Sequence, residues 1–197
     1  MIENAPHPEN GIFRIPALLL FLLSLLLTSC NPGGDEINKL QQNVWKNPED
    51  ARSYMLLGDA FARRERYSEA TEAYKNALTA DPAYSRALHA LGAVSFNMKN
   101  YPQALAYFNR YLEFSPKDSL RLYDIGNTYM QMQKYDKAAD AYSASIENSR
   151  EFVDAHYNLA VCYIHTGRKK DAMAIYEWLL DKNNYLARSL QNHLNGN

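Results

Sequence analysis

The chain is short of the residues that many chemistries and several folds require. Its 197 residues hold only two cysteines, Cys30 and Cys162. That excludes a disulfide framework and a four-ligand Cys/His zinc spacing. The five histidines form no HExxH and no i, i+4 pair, so neither a metal nor another cofactor is expected. Gly-rich phosphate loops, a GxSxG elbow and a Cys/His nucleophile pairing are also missing, so no catalytic residues are assigned and an enzyme is not expected. Eight glycines and eight prolines are few for a β-rich or loop-rich chain. An excess of one charge is lacking too: 21 Lys+Arg against 22 Asp+Glu leaves −1, which gives no basis for a nucleic-acid partner. What is plentiful is apolar residue, 47 %, and tyrosine, 15 in all. With 22 % charged residues this is the composition of one folded domain with an appendage.

Only one long apolar run is present. Ile15 to Leu27 reads IPALLLFLLSLLL, thirteen residues without a charge. A membrane-spanning helix needs about 20 apolar residues, whereas a secretory core needs about 7–15. Arg14 lies just upstream as the positive charge, opposed by Glu3 and Glu9. The run ends in Leu27-Thr28-Ser29-Cys30, which resembles a bacterial lipobox: an aliphatic residue, two small residues, then the cysteine that becomes the lipidated first residue. The resemblance implies a signal peptide over 1–29 and an acyl lipid on Cys30, whose thiolate is the nucleophile for diacylglycerol transfer. An uncleaved anchor over Ile12 to Ser29 and a buried leucine helix are the alternatives; the second lacks a polar face. Loss of residues 1–29 removes Arg14, Glu3 and Glu9 and leaves 20 basic and 20 acidic residues. Attachment would then come from acyl chains rather than a basic patch. Residues 30–36 read as the lipidated N-terminus and a tether. Asn31, where inner-membrane lipoproteins carry Asp, points by the same resemblance to the outer membrane, facing the periplasm.

The tyrosines belong to a repeat. Gly58, Gly92 and Gly126 are 34 residues apart, with Ala160 at the next step. The same step joins Ala70, Ala104, Ala138 and Ala172; Leu57, Leu91, Ile125 and Leu159; and Tyr74, Phe108, Tyr142 and Tyr176. Tyr67, Tyr101 and Tyr135 keep this phase, and Pro82 and Pro116 end the first two units. This column set resembles the tetratricopeptide repeat, a helix–turn–helix unit. The resemblance implies an all-α fold: a right-handed solenoid of four repeats at 51–84, 85–118, 119–152 and 153–186. The small eighth column is expected to let the two helices of a unit approach, facing the alanine column, with the aromatic column filling the space beside it. The twenty-seventh column is small in Ala77 and Ser145 but bulky in Tyr111 and Leu179, which should alter local helix spacing. Ile37, Leu40 and Val44 mark an N-terminal capping helix within 37–50, and Leu186, Leu190 and Leu194 mark a C-terminal one over 187–197.

Family resemblance also turns certain first-helix columns toward a concave groove. The residues expected there include His89, Tyr123, Asp124, Asn127, Met130, Gln131, Tyr157 and Asn158, with Phe96 and Asn97 beside them. The Lys and Asn set by which some relatives clamp a chaperone's C-terminal carboxylate is not present. Asn127 and Asn158 do match the paired asparagines that hold a peptide backbone, since a side-chain amide offers both a donor and an acceptor. The expected function is a membrane-anchored adaptor that binds another envelope protein, or a peptide segment of it, in outer-membrane, pilus or cell-wall assembly. The alternative is a self-associating scaffold, a homo-oligomer with Trp178, Tyr111 or the last leucine stripe as contacts. His89, Asp59 and Asp124 come from three successive units, but their columns do not imply convergence.

Overall fold

The 34-residue spacing becomes a series of helix pairs in the computed structural model, which describes residues 32–196. Cys30 and the 1–29 segment lie outside the described residues. A first helix, α1 (Pro32–Lys46), precedes four pairs: α2 (Ala51–Ala62) with α3 (Tyr67–Ala80), α4 (Ser85–Asn97) with α5 (Tyr101–Phe114), α6 (Ser119–Gln131) with α7 (Tyr135–Asn148), and α8 (Val153–His165) with α9 (Lys169–Asp181). A last helix, α10 (Leu186–Leu194), follows. Each helix packs on the one before and the one after it, and α10 also reaches α8. Every element among the described residues is helical, a tetratricopeptide-type solenoid.

Each pair closes on an aromatic ring. A Cβ built on Gly58, Gly92 or Gly126 would fall inside the ring carbons of Tyr74, Phe108 or Tyr142. The aromatic column therefore lies directly on the glycine column. The alanines Ala70, Ala104, Ala138 and Ala172 are fully buried beside it. The rings are almost fully buried in these three units; in unit four, where Ala160 stands in the glycine column, Tyr176 is only partly buried against the last cluster.

The turns inside the pairs also repeat. Glu65, Lys99, Gln133 and Gly167 all have positive φ, from 57° to 76°. After each one, a backbone N–H reaches back five residues: Arg66 to Phe61, Asn100 to Ser95, Lys134 to Tyr129 and Arg168 to Tyr163, at 2.7–3.1 Å. This left-handed closure satisfies carbonyls that the helix end leaves open.

The ends differ in detail from expectation. The first helix begins at Pro32, inside the 30–36 stretch read as a tether, and stops at Lys46. A proline is favourable at the first helical position, where its missing N–H would have had no partner. Ile37 is buried on α2 and α3, with Leu40 and Val44 packed beside it. At the other end Leu190 is fully buried and Leu186 and Leu194 flank it. Of the bulky twenty-seventh-column residues, Leu179 is absorbed into this last cluster. Tyr111 instead turns its hydroxyl to Asp118 (2.9 Å), and the Arg121 guanidinium lies 5.9 Å from its ring. Cys162 is fully buried, and burial pushes its thiol up to about 12, as suits an inert core cysteine.

Candidate functional site

The first helices of the pairs, α2, α4, α6 and α8, bring the expected groove residues to three seams between consecutive units. The seams are closed in different ways.

Between units one and two, Arg86 donates to Asp59 Oδ2 (3.1 Å), while Tyr74 Oη donates to Asp59 Oδ1 (2.9 Å). Asp59 is thus committed within the first seam and does not join His89. Between units three and four a side-chain network closes the gap. Asn158 Nδ2 donates to Tyr123 Oη (3.0 Å) and to Asn127 Oδ1 (3.3 Å), and Tyr142 Oη donates to Asn127 Oδ1 (2.7 Å). The ring of Tyr123 packs on Phe152 with centroids 4.8 Å apart. The asparagine pair is therefore brought together, but it bonds to itself and to two tyrosines rather than standing out from the wall. Asn158 Oδ1 accepts no hydrogen bond among the described residues.

The middle seam, between units two and three, stays open. A cleft of about 120 Å³ lies there, lined by His89, Ala93, Phe96, Asn97, Phe108, Asp124 and Asn127. His89 Nε2 is 3.7 Å from Asp124 Oδ2, beyond hydrogen-bond reach, and Arg121 Nε approaches the same oxygen to 3.3 Å from the side. The columns did not imply this convergence of His89 and Asp124; the packing of α4 against its successor unit produces it. Burial holds the His89 imidazole down to about 4, helped by the nearby Arg121. Burial pushes the Asp124 carboxyl up to about 6, against the pull of Arg121. At neutral pH the imidazole is uncharged and the carboxylate ionised.

The remaining expected residues lie apart from this centre. Tyr157 Oη is 3.1 Å from His193 Nε2, which draws it to α10 at the solenoid's end. Met130 packs into the unit-three core and Gln131 is exposed at the end of α6. Ala93 and Phe108 were missed. Their signal was a double break of pattern: the ninth column reads Asp59, Ala93, Asn127, Val161, and the twenty-fourth reads Tyr74, Phe108, Tyr142, Tyr176. Among the described residues no group of three or more His, Cys, Asp or Glu is placed to hold a metal ion. No described helix is long and apolar enough to cross a membrane.

Comparison with known proteins agrees with this architecture. No curated protein matches the chain. Among solved structures, a MamA fragment from Desulfovibrio magneticus RS-1 superposes with a TM-score of 0.70 at 20 % identity, covering 88 % of this chain and 96 % of that one. YrrB, described as a TPR protein with an unusual peptide-binding site, gives 0.69 at 22 % identity, covering 87 % and 89 %. PilF of Pseudomonas aeruginosa gives 0.66 at 19 % identity, covering 84 % and 73 %. At these identities the likeness is one of fold. A family model described as tetratricopeptide repeat matches residues 40–85, 56–119 and 123–187, most of the chain beyond its first forty residues. With the helix pairs, their glycine-seated rings and this match in hand, the chain belongs to the tetratricopeptide repeat family.

Proposed function

We propose that the protein is an adaptor whose first-helix face binds an extended segment of another envelope protein, while a lipid on Cys30 holds it at the membrane. The observation that carries the binding reading is the unequal closure of the seams. Two are bridged by side-chain hydrogen bonds, and between them one cleft keeps a reachable carboxylate, with Asn127 on its rim and the open carbonyl of Asn158 further along the same wall. Such a surface presents donors and acceptors that the backbone and side chains of an extended segment can use. YrrB supplies a precedent for peptide binding on this fold.

Crosslinked capture from the native envelope tests this reading. The full-length protein should retain a partner that Asn127→Ala/Asn158→Ala loses, with circular dichroism showing the variant still helical. Capture unchanged by the double substitution overturns it. The anchor has its own test. Cys30→Ala should abolish acyl labelling and leave an uncleaved precursor; normal processing removes the lipoprotein reading and, with it, the outer-membrane placement.

Self-association is favoured by one feature, two aromatic side chains exposed near opposite ends of the solenoid: Trp45, 82 % exposed, and Tyr185, 78 % exposed. The contacts first expected for it are used internally. Trp178 stacks on His156 with centroids 4.0 Å apart, Tyr111 bonds Asp118, and Leu190 is buried. A monomer by sedimentation at tens of micromolar excludes this alternative.

A further inference from the structure

At the open seam unit two departs from its neighbours at two positions together. In units one and three the twenty-fourth-column tyrosine donates to a ninth-column acceptor: Tyr74 to Asp59 and Tyr142 to Asn127. Unit two has Phe108 and Ala93 there, so both hydroxyl and acceptor are gone. Losing one alone would strand a half-buried polar group; losing both leaves an apolar floor of Phe108 and Ala93 with Phe96 at its side. The space, about 120 Å³, approaches the volume of apolar cavities of about 150 Å³ that admit a benzene-sized group. It suits a branched aliphatic side chain.

The rim adds a charge requirement. The carboxylate of Asp124 accepts no hydrogen bond among the described residues. Its companion Arg121 is mispaired as well: Arg121 Nε is buried without a hydrogen-bond partner. The carboxylate, unlike Arg121 Nε, is not sealed from the cleft it lines. Arg121 Nε stands 3.3 Å from this carboxylate without the geometry of a hydrogen bond, so the acceptor sites of Asp124 stay open. A ligand ammonium or guanidinium would fill them.

We propose that the cleft between α4 and α6 is a socket for one aliphatic side chain of a bound extended segment, and that Asp124 receives a Lys or Arg two residues away on that segment. The spacing follows from strand geometry: in an extended chain only every second side chain shares a face, and such neighbours lie about 7 Å apart. This rests on the groove-binding reading above and names its ligand chemistry.

A random dodecapeptide display library, selected at neutral pH on the detergent-solubilised full chain and its variants, tests the proposal. The wild type should enrich Leu, Ile, Val or Met paired with Lys or Arg at a spacing of two. Ala93→Asn/Phe108→Tyr installs the tyrosine–asparagine pair that unit three already accommodates. It should lose the aliphatic preference by about tenfold, the scale of discrimination by one apolar pocket. Asp124→Asn should keep the aliphatic preference and lose the basic one. If the double variant does not fold, Ala93→Leu fills the same floor and should give the same loss. Equal aliphatic enrichment on wild type and on a folded, filled variant overturns the socket but leaves groove binding intact. A basic preference that survives Asp124→Asn overturns the charge assignment. A wild type that enriches no sequence overturns the groove reading itself, and the socket falls with it.

Discussion

A ring seated on a glycine leaves no room for a methyl group, and three residues of this protein are placed in that position. At Gly126 a Cβ would drive Tyr142 off its seat and break its bond to Asn127. Gly126→Ala should therefore lower stability by about 1–3 kcal/mol in urea unfolding followed by circular dichroism. In unit four Ala160 stands at that column and Tyr176 is less deeply buried than its counterparts. Asp124 gives a second residue-scale expectation, with a pH signature. Its pKa is raised in the fold, so the protonated form is favoured there. The stability contributed by that proton is complete below about 3.8, the ordinary value, and is lost as pH rises through about 6. Asp124→Asn imitates the protonated carboxyl. It should stabilise the fold by about 2 kcal/mol at pH 7, after allowance for residual exposure, and by nothing below pH 4. His89 works in the opposite sense. Its pKa is lowered, so acid favours the unfolded chain from 6.5 down to about 4, and thermal unfolding of the wild type should vary less with pH there than that of His89→Gln.

At the scale of the helix pair, the turn decides more than the helix-breaking residues do. Prolines stand two positions after the ends of α3 and α5, yet α7 ends at the same column with Arg150 in that place. What recurs in every unit is the left-handed residue after the first helix, and three of these four are not glycine. A side chain in that conformation costs about 1–2 kcal/mol, part of which glycine returns through its own freedom when unfolded. Gln133→Gly should raise stability by about 0.5–1 kcal/mol in chemical denaturation. The helix pairs themselves were legible, because Ala51, Ser85, Ser119 and Val153 begin the first helix of each unit where the repeat alignment begins it. The start of α1 was not. Residues 32–36 carry no apolar periodicity from which a helix could be read.

For the whole molecule, stability is a chain of neighbouring interfaces, and the two end helices close it. Leu190 is fully buried where α10 meets α8 and α9. Leu190→Ala should cost about 2–4 kcal/mol. Hydrogen exchange should show the loss concentrated in α8 to α10, with protection in α2 and α3 retained, since each unit touches only its neighbours. Uniform loss along the solenoid would mean that the units unfold as one.

The sequence alone determined the repeat, the identity of the core columns and the two capping faces. Periodicity reports which face of a helix each residue occupies, and burial follows the face. It did not determine which side chains meet across a seam. Asn127 and Asn158 were visible as a pair, but the bonds of Asn158 to Tyr123 and Asn127 depend on how closely α6 and α8 approach, and that of Tyr142 to Asn127 on how α7 packs against α6. His89 and Asp124 come within 3.7 Å from different units, and the cleft between them opens where Phe108 and Ala93 withdraw a hydrogen-bonded bridge. Hydrogen bonds are made or lost within about half an ångström, a distance set by the packing of one unit on the next and not by the column a residue occupies.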